Sequence, residues 1–441
     1  MENNVAMEAK DRIIVALDVR SLDEAHTLVA SLAPYVWGFK IGLELLTAEG
    51  GPNAVAFIHT INARIFYDGK FNDIPNTIGG AAKAVAGLSV KMFNVHASAG
   101  VEAMMAAVAN KGHSLVLAVT VLTSLDDNNA HLIFGSPSKA KVLQLARDAT
   151  IAGCDGIICS PQELELLGKQ KELGSLLKVT PGIRSPEDLK DDQNRTMSPR
   201  EAIRAGADWL VIGRPITGAP DPAEAARKIA DEVAIGLTER FHLALFDLLK
   251  IKFGAFKLKL HETNPTAPLS PIYLNIRELP DWVYALAGDI IHDLIVRQGV
   301  PDFDYVIGIP KAGEPIGRAV AKALGKSLLR IEKIEGEGGR KISTKILDPF
   351  ESGKSVLLVD DLVTKAHTKR EAIKSVEANG LKVVATVVLY DREQGGLAEL
   401  NAEGYRIFAT ARLSETLNFF VSQKKISEAK KDEVMSYISA N

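Results

Sequence analysis

Ile65-Phe66-Tyr67-Asp68-Gly69-Lys70-Phe71-Asn72-Asp73-Ile74-Pro75-Asn76-Thr77 begins as an apolar run and breaks into alternating charge at its exit. Working outward from it, residues 12–237 alternate short β-branched runs with Ala-rich helical stretches. The runs are Arg12–Asp18, Val36–Gly42, Ile65–Lys70, Val90–Ala97, Leu115–Leu122, Gly156–Ser160, Lys178–Ile183 and Trp209–Ile216. Between them, Leu22–Leu32, Ile78–Gly87, Ala99–Lys111, Ser138–Ala152 and Pro199–Ala205 read as helices. Eight strand–helix units in about 225 residues have the size and rhythm of a (β/α)8 TIM barrel. Continuously apolar strands suit a parallel sheet buried on both faces. Periodicity alone leaves a doubly wound open sheet in competition. The polar residues favour the barrel: Asp18, Lys40, Asp68, Lys70, His96, Thr123, Ser160 and Arg214 each stand at or just past a strand end. In a barrel such ends converge on one face.

The 441 residues exceed one ordinary core and suit two domains, 1–237 and 238–441. An apolar fraction of 46% with 24% charged residues is the balance of a soluble globular protein. The net charge of −3 speaks against nucleic-acid binding, which calls for a basic face. Two cysteines, Cys154 and Cys159, provide neither a disulfide framework nor a cysteine-rich zinc site, and their apolar neighbours predict buried thiols. Residues 1–10 contain acidic groups and no apolar core, unlike a secretion signal, and no run approaches a membrane span. The expected compartment is the cytoplasm.

Two carboxylates around Lys70, with Lys40 at the end of an earlier strand, make a crowded array of alternating charge. Such an array keeps a lysine protonated and fixes its position. A positioned ammonium can protonate a carbanion, which suits decarboxylation without a cofactor. The competing reading is a surface salt-bridge network. His96, Trp37, Phe39 and Trp209 read as structural.

Asp-x-Lys-x-x-Asp-Ile-Pro-Asn-Thr, from Asp68 to Thr77, resembles the signature of orotidine 5′-phosphate decarboxylases. The similarity extends through Ile14–Asp18, Phe39–Gly42, Val119–Ser124, Asp155–Ser160, Thr180–Arg184 and Val211–Ile216, covering residues 12–237. It implies that Lys70 protonates C6 of the pyrimidine as CO2 leaves and that Asp68 faces the departing carboxylate. Lys40 and Asp18 would hold the ribose hydroxyls, and Thr123 would touch the pyrimidine. Asp73 and Thr77 would reach a neighbouring subunit's site, implying a homodimer. Gln193, in Asp192–Arg195, and Arg214 would grip the phosphate; an arginine fork suits that task, and the Gly213 backbone could add an N–H donor. A sugar-phosphate enzyme of the same barrel superfamily shares Asp-x-Lys-x-x-Asp, but Ile74–Thr77 and the Gln193 loop speak against it.

From about Gly236 a longer amphipathic helix leads into a second, smaller, mostly parallel α/β region without a Gly/Ser or Pro-rich spacer. Its strand-like runs are Ile272–Ile276, Tyr305–Ile309, Ser327–Ile331, Ser355–Asp360, Val383–Leu389 and Arg406–Phe408, with a helix near Leu286–Gln298. Val356–Thr364 reads as a buried strand ending in Asp360 and Asp361, which could accept from two ribose hydroxyls. The following turn and helix, from near Thr368, would offer N–H groups to a phosphate. This segment resembles the 5-phosphoribosyl 1-diphosphate (PRPP) site of type I phosphoribosyltransferases. Phe253–Lys259 with Ser270–Tyr273 and Arg277, and Gly308–Ile316, resemble the orotate-binding start and the diphosphate loop of orotate phosphoribosyltransferases, over roughly residues 240–420.

That resemblance implies that Lys259 contacts substrate and that Asp360 and Asp361 contact the ribose. It implies that Thr364 and Thr368 hold the 5′-phosphate, that Lys333 is the catalytic lysine of a mobile loop, Arg330–Gly339, and that Mg2+ rides on the diphosphate. No residue is expected to hold a metal directly. The chain departs from the family where Thr364-Lys365-Ala366 replaces Thr-Thr-Gly, because Ala cannot freely adopt positive φ. Ile331 and Glu335 also stand where lysine and histidine are expected, and His261–Leu269 is additional. Together the two halves imply a bifunctional enzyme that makes orotidine 5′-phosphate from orotate and PRPP and decarboxylates it to UMP, with no cofactor in the barrel. The alternative is an active decarboxylase carrying a non-catalytic, nucleotide-sensing or dimer-stabilising domain.

Overall fold

Eight short strands close on themselves in the order of the sequence: β1 Ile13–Leu17, β2 Gly38–Ile41, β3 Ile65–Phe71, β4 Met92–His96, β5 Leu115–Val119, β6 Gly156–Ile158, β7 Leu177–Thr180 and β8 Trp209–Ile212. This computed structural model describes residues 7–61, 63–184, 196–257, 261, 264–336 and 339–440. Each strand pairs in parallel with the next, and β1 pairs with β8 to complete a TIM barrel. All five residues of β1 are buried, as a strand between packed interior and covering helices must be.

Local chemistry sets the helix starts. Ser21 accepts from the Glu24 N–H to cap Leu22–Leu32, and Ser198 with Glu201 forms a capping box on Pro199–Ala205. Pro75 takes the first position of the helix Pro75–Ala86, where its missing N–H costs nothing. That helix starts earlier than the expected Ile78. At the other end of the barrel sequence, the expected strand Trp209–Ile216 stops at Ile212 and Arg214–Thr217 is a short helix. Pro215 explains the break: it has no N–H for a sheet ladder and its φ suits a first helical turn.

The chain divides into two compact units: Ala9–Leu237 form the first, and the described residues before Ala9 cluster with those from Thr238 onward, the second boundary falling inside the helix Pro222–Asp247. The second unit contains a five-stranded parallel sheet. In chain order the strands of this unit are β9 Ile251–Phe256, β10 Ser270–Leu274, β11 Tyr305–Gly308, β12 Ser327–Leu329, β13 Ile331–Gly336, β14 Gly339–Ile346, β15 Ser355–Val363, β16 Lys382–Asp391 and β17 Ile407–Arg412. The sheet order is β12-β11-β15-β16-β17, and β9–β10 and β13–β14 are separate antiparallel pairs. Ile307, Val356, Leu358, Ile373, Val376 and Val388 belong to its core.

Three expectations change here. The expected run Ser327–Ile331 divides between two sheets, and Arg330–Gly339 belongs largely to the β13–β14 hairpin rather than to a loop. Asp360 and Asp361 lie inside β15, because its pairing with β16 continues through Leu362↔Tyr390 and Val363↔Asp391.

Candidate active sites

In the barrel, β3 is irregular between Tyr67 and Phe71, and this bulge brings Asp68 and Lys70 into one constellation. Lys70 adopts φ +49°, a left-handed conformation uncommon for a side-chain-bearing residue. Its N–H donates to Asn94 Oδ1 at 2.7 Å, which anchors that backbone. Lys70 Nζ lies 2.7 Å from both oxygens of Asp68, and Lys40 Nζ lies 3.2 Å from Asp68 Oδ2 and 3.0 Å from Asp18 Oδ1. Asn94 Nδ2 donates to Asp68 Oδ1 at 2.6 Å. The result is a chain of alternating charge, Asp18–Lys40–Asp68–Lys70, drawn from the ends of β1, β2 and β3 and braced by β4.

Burial opposes the charge on Lys40, but Asp68 and then Asp18 outweigh it and hold the ammonium above the ordinary lysine range. Burial likewise opposes ionisation of Asp68, and Lys40, Lys70 and the hydrogen bonds from Lys70 and Asn94 overcome it, so its pKa is lowered. The site therefore presents a permanent buried carboxylate between two ammonium groups. Lys40, Asp68, Lys70 and Thr123 line a cavity of about 210 Å³, with apolar walls that include Phe66 and Val211. His96, at the end of β4, is kept toward its neutral form first by burial and then by Lys70.

Asp73 and Thr77 are exposed, and Asp73 Oδ1 accepts from the Ile74 N–H at 2.7 Å. Gly213 precedes the helix Arg214–Thr217, close to Asp18, and Arg214 is exposed at its first position. Gln193 and the loop Asp192–Arg195 lie outside the described residues. Cys154 and Cys159 are free and buried, as expected, and Cys159 lines the cavity. Burial pushes the Cys154 thiol up to about 12 and Cys159 higher still, so both remain protonated.

In the second unit, the loop after β11 packs on the acidic strand. Ile309 N–H donates to Val359 O at 2.8 Å, and a Cβ added to Gly313 would come within 2.5 Å of Val359 O and 3.0 Å of Asp360 Cα. Only glycine permits that approach. It joins the expected diphosphate loop to the expected ribose carboxylates. Asp360 is buried and pairs with Lys369, Nζ to Oδ2 at 2.7 Å, and Lys369 also donates to Leu362 O. Asp360 Oδ1 accepts the Asp361 N–H at 2.9 Å, and Asp361 Oδ1 accepts the Leu362 N–H at 2.8 Å. Burial, and then the charge of Asp360, holds Asp361 well above the usual carboxylate range, with Lys369 opposing.

Thr364 is half-buried beyond β15, and Thr368 is exposed in the first turn of the helix His367–Ala378. Ala366, the residue replacing the expected glycine, takes an ordinary φ of −70° and is buried beside Val363 and Ile373. Thus the substitution introduces no backbone strain at that turn. Lys259 lies outside the described residues. The backbone of Lys333 pairs with Ile342 in the hairpin, and its side chain is outside the described set. Sequence reasoning missed Asn94 and Lys369. A polar residue amid Met92–His96 was a visible cue for the first.

Residues 11–229 match the orotidine 5′-phosphate decarboxylase / HUMPS family. An orotidine 5′-phosphate decarboxylase of Moorella thermoacetica is 44% identical over 246 residues, covering 53% of this chain and 96% of that protein. One from Anaeromyxobacter dehalogenans is 45% identical over 226 residues, covering 51% and 99%. The chain belongs to this decarboxylase family. Beyond the decarboxylase-family barrel, residues 280–406 match the phosphoribosyl transferase domain, a span that holds Gly313, Asp360, Asp361 and Lys369. The architecture is therefore bifunctional, joining a lyase domain and a transferase domain. Among solved structures, the UMP synthase of Leishmania donovani is similar in fold over 98% of this chain and 97% of that one, with a TM-score of 0.53 and 21% identity.

Proposed function

We propose that the chain forms orotidine 5′-phosphate and diphosphate from orotate and PRPP in its second unit, and converts orotidine 5′-phosphate to UMP and CO2 in its barrel. The observation that carries the barrel reading is Asp68, buried and ionised between Lys40 and Lys70 at a cavity with apolar walls. A fixed negative charge beside the substrate carboxylate disfavours the bound ground state more than a transition state from which CO2 is departing. Lys70 then gives its proton to C6 of the pyrimidine as the carbon–carbon bond breaks. Lys40 and Asp18 hold the ribose hydroxyls, and Thr123 meets the pyrimidine. Gln193, Arg214 and the Gly213 backbone bind the phosphate. Asp73 and Thr77 act across a homodimer interface, which accounts for their exposure.

In the second unit, we assign the loop around Gly313 to the diphosphate, the Asp360–Asp361 strand to ribose recognition, and Thr364 and Thr368 to the 5′-phosphate. Lys259 contacts orotate, and Lys333 supplies positive charge to the departing diphosphate. Mg2+ accompanies PRPP on its diphosphate; the acidic pair suits hydroxyl recognition, with Asp360 already satisfied by Lys369. The barrel reaction needs no cofactor. No helix among the described residues is long and apolar enough to cross a membrane, and the proposed compartment is the cytoplasm.

The test is to supply purified chain with orotate, PRPP and Mg2+, then follow orotate loss and CO2 release together. Release of CO2 from added orotidine 5′-phosphate without any PRPP-dependent orotate loss would reduce the chain to a decarboxylase.

A further inference from the structure

The turn at residues 364–366, between β15 and the helix His367–Ala378, is held from behind by the segment that leaves β16. Arg392 N–H donates to Val363 O at 2.9 Å, and Gly396 N–H donates to Thr364 O at 3.0 Å. Gly396 is the buried first residue of the helix Gly396–Ala402. A Cβ added to it would lie 2.6 Å from Thr364 O, 2.8 Å from Lys365 C and 2.9 Å from Ala366 N, all backbone atoms of the turn. No side chain fits there unless the turn moves. The segment itself is pinned: Glu393 accepts from the Ser414 N–H at 2.7 Å and Oγ at 2.9 Å, and Asp391 Oδ1 accepts the Glu393 N–H at 2.8 Å. Further out, Arg370 in the helix His367–Ala378 donates from Nε to Glu403 at 2.9 Å and lies 3.6 Å from Glu399.

We propose that Gly396 is a positioning residue of the phosphoribosyl-transfer site, setting the shape of the turn that receives the 5′-phosphate. The proposal rests on the transferase reading, with Thr364 and Thr368 at that phosphate, and deepens it. A trans peptide is planar, with its C=O and N–H pointing opposite ways. Tying the Thr364 carbonyl to Gly396 therefore aims the Lys365 N–H away from the helix Gly396–Ala402. The bond from Arg392 to Val363 O does the same for the Thr364 N–H. Two backbone donors are thereby presented beside the start of the helix His367–Ala378, where N–H groups favour a phosphate. The glycine needed for close approach stands across from the turn, while Ala366 within it keeps an ordinary φ of −70°.

The test uses the full chain, beginning with calorimetric titration of PRPP and Mg2+ into the parent. No binding there sinks the transferase reading itself; binding leaves the inference to be decided by variants. Gly396→Ala should raise the PRPP KM about tenfold or more, the loss of a hydrogen bond to a charged group, while changing kcat much less. It should weaken ribose 5-phosphate, a competitor with the 5′-phosphate and no diphosphate, to the same degree. Affinity for inorganic diphosphate with Mg2+ should stay within about twofold, as expected of a separate contact. Decarboxylation measured on each preparation checks that the barrel is intact, and circular dichroism checks the second unit. A folded Gly396→Ala protein with an unchanged PRPP KM overturns the inference, as does one that loses diphosphate as strongly as ribose 5-phosphate. If Gly396→Ala does not fold, the outer contact decides. Arg370→Glu sets like charges between the two helices and should raise the PRPP KM about two- to fivefold. Adding Glu399→Arg and Glu403→Arg restores the attraction with its signs exchanged and should bring most of that back. No loss in Arg370→Glu, or a loss that the exchange leaves unrepaired, then overturns the inference.

Discussion

In the barrel, Asp68 is reached by Lys40 from one neighbouring strand and by Lys70 from its own, whereas in the second unit Asp360 is met by a lysine from the helix that follows its strand. The first arrangement is assembled from β1 to β4, whose parallel pairing sets the spacing of every group. The second depends on one strand–helix junction and the glycine contact at Gly313. An array spread across several strands can be fixed before substrate arrives. A single junction can fix one carboxylate, and the remaining contacts must come from flanking segments and from the substrate.

The most severe test of this contrast is Lys70→Ala. It removes the proposed proton donor, so CO2 release from orotidine 5′-phosphate should fall at least about a hundredfold, while orotate phosphoribosylation stays nearly intact. A variant that retains more than about a hundredth of the parent rate would place the proton donor elsewhere.

Mixing restores what each mutant alone lacks, if Asp73 serves a partner's site. Asp73→Asn subunits combined with Lys70→Ala subunits should regain decarboxylation, since a heterodimer holds one site with both residues intact. Subunit exchange shown by mass spectrometry without recovered activity would return Asp73 to its own chain's site.

These two predictions use residues that were legible in the sequence, and the reason is geometric. Asp18, Lys40, Asp68 and Lys70 are charged residues at the ends of apolar runs, and a barrel gathers such ends on one face. The hairpin β13–β14 was not legible, because Arg330–Gly339 is rich in charge and has no clean two-residue alternation. Lys369 was hidden for a similar reason: its polar neighbours look solvated, and burial follows only from the helix packing on the sheet. Asn94 is faint in the sequence because a lone amide within the apolar run Val90–Ala97 carries no spacing that marks its partners. The left-handed backbone of Lys70 that Asn94 supports is a tertiary feature without a sequence signature.

Asn94→Ala sharpens the rigidity of the barrel array. It strips a partner from the Lys70 N–H and from Asp68 Oδ1, both within the cluster. A loss of about 1–3 kcal/mol is the ordinary cost of an orphaned buried group. Urea titration followed by residual decarboxylase activity should show it, with catalysis declining alongside. No change in midpoint would mean that the two lysines suffice to hold Asp68.

The gentlest effect comes from a buried group handled in the opposite way. Lys40 and Asp68 stay charged because opposite charges answer their burial, but His242 in the second unit is buried among Tyr390, Phe419 and Phe420, with rings and Thr416 around it. Burial lowers its pKa from the ordinary 6.5 to about 3, so the folded protein holds the ring neutral. Between those values the unfolded chain binds a proton that the folded chain does not, and stability must fall as pH falls from about 6.5 toward 3. The slope approaches about 1.4 kcal/mol per pH unit for one proton. Asp361 and Asp391 have raised carboxyl pKa values and contribute with the opposite sign, favouring the fold as acid is added. Subtracting a His242→Phe variant isolates the histidine from them, because phenylalanine keeps a ring against Tyr390 and cannot titrate. Calorimetric unfolding of parent and variant at pH 7, 6 and 5 should therefore diverge progressively, with the parent losing more. Parallel curves would mean that the charge of His242, like that of Asp360 beside Lys369, is answered by a partner in the folded state.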